Sequence, residues 1–260
     1  MSTWRIDQFC KKPELKKTIL IEGLPGIGNV GKVAMDFMID ELNAKKLYEI
    51  TSHTFPNSVF VNENNLVELP KIEIFYKKFK SNDLVLMGGD VQPIDEVSSY
   101  NFVEKILDLI KGFHTKEIIT LGGIGLADIP KKPKVYCTGN SKKIIEKYRH
   151  KGVNDNLYGI VGPIVGVSGL LLGLASRRNI DAVSLLAETY GHPIYLGVNG
   201  AREILKILNN ELNLGINVNK LEKEIEYIEK QVVKKREELS NIPKHGALKK
   251  LKGGEISYIG

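Results

Sequence analysis

The sequence predicts an α/β protein, a three-layer α/β/α sandwich around a mostly parallel sheet. Short apolar segments that end in glycine are typical of buried strands followed by loops, and four occur: Thr18–Gly23, Leu84–Gly89, Ile118–Gly123 and Leu157–Gly162. Helix-length patterns lie between them, at Val30–Leu42, Asp95–Lys111 and Ser141–Arg149. Because strands alternate with helices, the chain is expected to form parallel βαβ units.

Two other regions complete the predicted core. From Glu49 to Lys78, strand-like runs follow one another without a helix, at Tyr48–Thr54, Ser58–Phe60 and Lys71–Phe79, which favours an antiparallel edge or a protruding hairpin. The apolar stretch Gly162–Ser176 is shorter than the roughly 20 residues that span a bilayer, and proline and glycine interrupt it. It predicts a buried helix near Ile164–Arg178, with a further helix near Gly200–Asn213 and no membrane association.

The C-terminal part changes character at Asn217, where the sequence becomes rich in lysine and glutamate. Apolar residues then follow the three-four alternation of about three heptads, which predicts a coiled-coil-like helix from Asn219 to about Leu239, roughly 30 Å long. The helix packs either on its own domain or on a neighbouring subunit through a seam of Leu221, Ile225, Ile228 and Val232. Prolines and glycines end the pattern. We therefore predict a core domain (1–215), this helix (216–240) and a flexible tail (241–260).

Composition excludes several classes of function. The 37 Lys and Arg exceed the 31 Asp and Glu by a net charge of +6 that is spread along the chain, so nucleic-acid binding is not expected. The two cysteines, Cys10 and Cys137, have no spacing that indicates a disulfide framework or a zinc site. A cytoplasmic protein is expected, since the N-terminus is polar and lacks a signal-peptide pattern. The five histidines fall in no metal-ligand spacing, and we expect neither a metal nor a cofactor.

One glycine-rich loop carries the strongest chemical pattern. The sequence Gly26-Ile27-Gly28-Asn29-Val30-Gly31 matches the dinucleotide pattern, and with Lys32 it also fits the spacing of a phosphate loop. Val33 follows the lysine, however, where a phosphate loop needs a hydroxyl for magnesium. The same glycines suit tight turns and close packing. Two alternatives stay open: a nucleotide- or nucleoside-binding enzyme that uses Gly23–Lys32, with Gly26, Gly28, Gly31 and Lys32 as ligand loop, or a protein without catalysis.

Asp90, Asp95 and Asp128 are placed near the carboxyl edge of the predicted sheet, where α/β folds bind ligands. No matching base, nucleophile elbow or metal-ligating histidine accompanies them in the sequence. Aspartate at a strand end is more typical of a helix cap or a turn. We therefore predict no catalytic residues.

Several of these segments together resemble the archaeal branch of the proteasome assembly chaperone family, the branch similar to proteasome assembly chaperone 2. They are Ile21–Gly31, Gly122–Gly125, Gly159–Leu171 and Leu185–Gly191, within Leu15–Leu212. The resemblance implies a sandwich related to nucleoside phosphorylases, without catalytic activity. It also implies a homo-oligomer that binds α subunits of the 20S proteasome through its C-terminal tails.

The end of the chain matches the family's tail only in part. The family's tail has a hydrophobic residue, then a penultimate tyrosine, then any last residue. Here the chain ends Ile256-Ser257-Tyr258-Ile259-Gly260, so the tyrosine stands one place early and serine precedes it. The resemblance implies that Ile256, Tyr258, Ile259 and Gly260 bind the partner; the alternative is an end that only aids solubility.

Overall fold

The computed structural model describes residues 4–149, 152–157, 162–192 and 195–221. Its strands are β1 (Trp4–Gln8), β2 (Thr18–Gly23), β3 (Lys45–Ser52), β4 (Phe60–Val61), β5 (Val67–Glu68), β6 (Ile72–Lys77), β7 (Leu84–Gly89), β8 (Thr115–Leu126), β9 (Val135–Gly139) and β10 (Asp181–Tyr190). Its helices are α1 (Val30–Glu41), α2 (Glu96–Lys111), α3 (Lys142–Arg149), α4 (Val167–Arg177) and α5 (Val198–Leu212). A single 3-10 turn, Ile27–Asn29, precedes α1.

Eight strands form one sheet in the order β1-β3-β6-β7-β2-β8-β10-β9. The four central strands, β7, β2, β8 and β10, are parallel, whereas β6, β3, β1 and β9 pair antiparallel with their neighbours. Ile21 marks the centre, opposite Leu86 on one side and Ile119 on the other. The predicted α/β class is thus confirmed, with a parallel centre and antiparallel margins.

Side chains on one face of the sheet pack with α2 and α4 in a large apolar cluster that includes Leu20, Phe102 and Leu171. On the other face α1 packs on β2 and β8, and α5 packs on α1 and β10. Successive side chains of β2 point to opposite faces of the sheet. Leu20 therefore packs in the apolar cluster with α2 and α4, while Gly23, on the other face, lies against Met35 of α1. A sheet covered on both faces accounts for the unbroken apolar runs of the central strands.

The strands Thr18–Gly23 and Leu84–Gly89 end where the sequence predicted them to end, and the three helices predicted between the strands are confirmed to within about a residue. In α2, Asp95 is the N-cap and its carboxylate accepts a hydrogen bond from Ser98 N at 2.9 Å. The region 48–79 forms both an antiparallel margin, β3 and β6, and a separate two-stranded ribbon, β4 and β5. The strands β1, β9 and β10 were not predicted.

The packed chain continues to Leu221, because Leu214, Ile216, Val218 and Leu221 are all buried. Contacts group the residues up to Leu221 as one compact unit. Most of the predicted long helix (216–240), the tail (241–260) and most of the predicted strand Leu157–Gly162 lie outside the described residues.

Candidate functional site

The glycine-rich loop connects the end of β2 to α1 at the carboxyl edge, the edge at which the four parallel strands end. Gly28 and Asn29 have φ of 59° and 49°, a left-handed conformation that favours glycine and asparagine. A Cβ atom on Gly28 would lie 2.6 Å from Thr189 Oγ1, at the end of β10. The loop is therefore held by its neighbours as well as by its own turns.

Two further glycines bring backbones into direct contact. A Cβ on Gly23 would lie 2.3 Å from the carbonyl oxygen of Gly31, and one on Gly123 would lie 2.3 Å from that of Ile27. Gly26 differs, because a Cβ there would have nothing within 4 Å and its φ of −160° is ordinary extended backbone. Close packing thus accounts for Gly23, Gly28 and Gly123, but not for Gly26.

Lys32 does not face the same space as the rest of the loop. Its Nζ lies 3.0 Å from Asp36 Oδ2 and 3.9 Å from Asp90 Oδ1, and it donates a hydrogen bond to the Gly89 carbonyl at 3.2 Å. These groups line an acidic hollow that also contains Glu73. Burial raises the pKa of Asp36, and the nearby Lys32 ammonium offsets part of that rise. Of the predicted ligand-loop residues, Lys32 therefore lines this hollow, Gly26 and Gly31 line a different depression, and Gly28 packs against Thr189.

Gly26 and Gly31 line the other depression, a cleft of about 460 Å³ at the carboxyl edge. Its opposite walls are Gly122–Gly125 of β8 and the segment Gly162–Val165 before α4, with Ser168 nearby. Gln92 connects the glycine-rich loop to the start of α4, because its amide donates to Pro25 O at 2.6 Å and accepts from Val167 N at 2.9 Å. The volume suits a small molecule, although the lining is mostly backbone and aliphatic side chains.

Beside this cleft lies Glu22, a carboxyl group that is fully buried at the end of β2. Its Oε1 accepts a hydrogen bond from Leu24 N at 3.0 Å, while Oε2 has no hydrogen bond of good geometry within the described part of the chain. Burial raises the pKa of Glu22 to about 7, and the Ser168 hydroxyl offsets part of the rise. Leu24 and Ser168 also line the cleft. Sequence reasoning missed this residue, although a glutamate that ends an apolar run was a signal.

The three aspartates expected at this edge have separate roles. Asp95 caps α2, as predicted for an aspartate that follows a strand. Asp90 lies near Lys32 in the acidic hollow. Asp128 is exposed in the turn after β8. Within the described ranges, no three His, Cys, Asp or Glu side chains are placed to hold a metal ion, and no described helix is long and apolar enough to cross a membrane.

Of the predicted helix seam, only Leu221 lies within the described residues, and it is buried as the last residue of the compact unit. The neighbouring Lys220 Nζ lies 2.6 Å from Glu41 Oε1 of α1, which lowers the pKa of that carboxyl. The other seam residues, Ile225, Ile228 and Val232, lie outside the described residues. The same is true of the tail residues Ile256, Tyr258, Ile259 and Gly260.

Solved structures similar to this chain include proteins whose descriptions connect them with the proteasome. Pyrococcus furiosus PbaB, described as an archaeal proteasome activator, is 33% identical, with a TM-score of 0.80 over 91% of this chain and 100% of that one. PbaA of the same organism, described as an archaeal homolog of proteasome-assembly chaperone, is 26% identical, with a TM-score of 0.76 over 92% and 94% of the two chains.

Sequence comparison agrees. The uncharacterized protein MJ1210 of Methanocaldococcus jannaschii is 29% identical over 246 residues, which are 95% of this chain and 93% of that protein. The model of the PAC2 family matches residues 20–235. Since this match takes in the glycine-rich loop, the central sheet and α5, the resemblance to archaeal proteasome assembly chaperones is confirmed, and the chain belongs to the PAC2 family.

Proposed function

We propose that this chain is a non-catalytic, oligomeric assembly chaperone that binds α subunits of the 20S proteasome, as ring or as precursors, in the cytoplasm. The observation that carries the proposal is the similarity to PbaB, which extends over the full length of that chain and 91% of this one. The similarity to PbaA supports it, since that protein is described as a homolog of an assembly chaperone.

The glycine-rich loop supports a role without catalysis. Gly28 and Gly31 fit tightly against Thr189 and Leu121, so their lack of a side chain is explained by packing. Lys32, which would bind phosphate in the alternative, lies instead between Asp36 and Asp90. A phosphate beside those carboxylates would meet like charges.

The proposed contact with the proteasome is the C-terminal tail, with Ile256, Tyr258, Ile259 and Gly260 as the binding residues. A short peptide has little affinity alone, but several tails on one oligomer address several equivalent sites on a ring, which multiplies the overall affinity. The helix seam of Leu221, Ile225, Ile228 and Val232 would then hold subunits together or set the spacing of the tails.

Capture of proteasome α subunits tests the proposal. The full-length chain, Tyr258→Ala and a variant that lacks Gly253–Gly260 are immobilised and exposed to assembled and unassembled α subunits. We expect both variants to capture at least tenfold less than the full-length chain. Ser257→Ala is the matched control in the same tail, and it is expected to capture normally. Equal capture by all four proteins would remove the tail from the mechanism, and no capture by any would contradict the proposed partner.

The cleft favours one second candidate, the binding of a nucleoside or nucleotide near the glycine-rich loop. The specific observation is the buried Glu22 carboxyl, whose Oε2 has no well-formed hydrogen bond among the described residues, beside a cleft of about 460 Å³. A ligand that binds the folded state raises the melting temperature. A thermal-shift series with adenosine, guanosine, ATP and inorganic phosphate separates the candidates, because the chaperone hypothesis expects no shift with any of them.

A further inference from the structure

Exposed lysines gather at the amino edge of the sheet, the edge at which the parallel strands begin and which lies opposite the candidate site. A hollow of about 640 Å³ lies there, between the β1–β2 connection and the end of α2. Its lining residues are Lys12, Pro13, Glu14, Leu15, Lys16, Lys17, Gly112 and His114. The three lysines, the glutamate and the histidine are exposed, while the leucine is buried. The lining therefore carries three ammonium groups against one carboxylate.

The walls of this hollow are tied to the sheet. Thr18, the first residue of β2, is paired with Thr115 of β8, and its hydroxyl donates a hydrogen bond to the Phe113 carbonyl at 2.7 Å. Lys12 is also held in place, because its Nζ lies 4.9 Å from the centre of the Phe113 ring in a cation–π contact. A Cβ on Gly112 would lie 2.4 Å from the same Nζ, so this glycine leaves room for the ammonium group.

Two residues of the lining have a backbone conformation that their residue types seldom adopt. Lys17 and His114, which directly precede the two paired threonines, have φ of 47° and 56°. This left-handed region favours glycine and asparagine. The other non-glycine residues with positive φ in the described part of the chain are all asparagines: Asn29, Asn43, Asn65, Asn179 and Asn213. The two residues that depart from this rule thus lie in the same hollow.

The end of α2 shows the departure most directly. A left-handed asparagine follows α1, α4 and α5 within two residues of each helix end, whereas the left-handed residue after α2 is His114. An asparagine or a glycine would form the same turn with less strain. Strained backbone in a folded protein tends to accompany a functional site. The side chains of Lys17 and His114, and not their backbones, therefore account for these two residue types.

The basic side chains of the hollow are not neutralised within the described ranges. None of the four forms an ion pair there, although Glu14 lines the same hollow. Asp83 lies close by, but its carboxylate accepts hydrogen bonds from the backbone N–H groups of Lys16, at 2.7 Å, and Phe79, at 3.0 Å. Like charges that gather without neutralising partners create a positive potential, which attracts an anionic partner.

The basic surface extends beyond the hollow. Because Asp83 binds both Lys16 and Phe79, it ties the β6–β7 connection to the β1–β2 connection. Further exposed lysines lie in these two connections, at the end of α2 and at the start of β8: Lys11, Lys78, Lys80, Lys111 and Lys116. None of these five forms an ion pair with a described residue. We call the hollow and these five residues the lysine edge. A partner that neutralises it needs several negative charges along an extended chain.

We propose that the lysine edge binds an acidic segment of another protein, a run of aspartate or glutamate side chains in an extended chain. The opposite charges are complementary, which speeds the encounter and excludes basic partners. Single-stranded nucleic acid fits less well, because its sites add aromatic side chains on which bases stack, and no Phe, Tyr or Trp lines the hollow. The inference goes beyond the proposed function, since it involves neither the tail nor the glycine-rich loop.

Fluorescence anisotropy of the full-length chain with a labelled peptide of ten glutamates tests the proposal. We expect the wild type to bind the peptide and Lys17→Gly/His114→Gly to bind it at least tenfold more weakly. Glycine adopts the left-handed conformation without strain, so the melting temperature of this variant should be unchanged or higher. Weaker binding by a protein that is no less stable distinguishes a binding role of the two side chains from a structural one.

A second variant, Lys12→Gln/Lys16→Gln, leaves both left-handed residues in place and should also bind at least tenfold more weakly. Two controls keep the hollow intact. Asn179→Gly changes a left-handed residue after α4, at the same edge of the sheet. Lys131→Gln/Lys132→Gln removes two exposed lysines from the connection after β8, at the carboxyl edge. Both controls are expected to bind the peptide as the wild type does.

Four results would overturn the proposal. They are no binding by the wild type, wild-type affinity in both hollow variants, an equal loss in Lys131→Gln/Lys132→Gln, and tighter binding of DNA than of the peptide at equal ligand charge. The third would reduce the effect to net charge, and the fourth would make the partner a nucleic acid.

Discussion

Gly31 of α1 lies so close to β8 that a Cβ atom on it would be 2.4 Å from the carbonyl oxygen of Leu121. The Cβ of Gly23 would meet the carbonyl of Gly31 in the same way, at 2.3 Å. The helix is thus in backbone contact with two neighbouring strands of the sheet. The nearest atoms are backbone carbonyl oxygens and not the ends of flexible side chains. The backbone of α1, β2 or β8 would therefore have to move to accept a methyl group.

Gly31→Ala is therefore expected to lower the free energy of unfolding by about 1–3 kcal/mol, the usual cost of overpacking, or by more if α1 shifts. Urea unfolding followed by circular dichroism measures the change. Gly26→Ala is the matched control in the same motif, because a Cβ there meets nothing within 4 Å, and it should change stability by less than about 0.5 kcal/mol. Equal stability of Gly31→Ala and wild type would show that packing does not explain this glycine.

The sequence could predict those strands and helices whose own residues carry the pattern, and it could not predict those that depend on distant pairing. The strand Thr18–Gly23 is a fully buried, mostly apolar run closed by glycine, and α2 begins at a good N-cap, Asp95, so both could be placed from their own residues. The strand β10 is equally buried and is followed by Gly191 and Pro193, but Ser184 and Glu188 interrupt its apolar run and it lies between two helices. The short β1 is polar, with Arg5 and Asp7, and only its pairing with β3 makes it a strand.

The candidate site was predictable in part for the same reason. The motif identified the loop, but the direction of Lys32 depends on Asp36, one turn later in α1, and on Asp90 after β7. The burial of Glu22 depends on α4, which the chain reaches only at Val167. Tertiary packing, and not local pattern, decides both.

Glu22 predicts a pH dependence of stability. Its pKa is raised from 4.5 to about 7 in the folded protein, so between these values the folded state holds a proton that the unfolded state has released. Stability from this group is therefore greatest below about pH 4.5 and falls as pH rises towards 7, by on the order of 3 kcal/mol in total. Glu22→Gln cannot ionise, so it should be more stable than wild type at pH 8 and close to it at pH 5.

Urea unfolding of both proteins at pH 5, 6, 7 and 8 measures this difference. Because the two chains share every other titratable group, the difference between them isolates Glu22. A difference that does not grow with pH would mean that the carboxyl is ionised, and solvated, throughout this range.

A buried polar pair joins two central strands. Thr120 Oγ1 of β8 donates to Ser184 Oγ of β10 at 2.9 Å, and both residues are fully buried. Thr120→Val leaves the Ser184 hydroxyl without this partner, so we expect a loss of about 1–3 kcal/mol in the free energy of unfolding. Adding Ser184→Ala should cost little more, since the second hydroxyl is then also removed. If the two single changes add fully in the double variant, the hydrogen bond contributes nothing.

The two thiols should differ in reactivity. Cys137 lies in β9 opposite Leu185, is 1% exposed, and burial raises its pKa to about 11. Cys10 is only partly buried, after β1. Because the thiolate is the nucleophile, iodoacetamide at pH 8 should alkylate Cys10 at least tenfold faster than Cys137 in the folded protein. In urea the two rates should converge, since unfolding removes the burial that protects Cys137. Peptide mass spectrometry over time gives both rates, and equal rates in the folded protein would mean that β9 opens readily from the edge of the sheet.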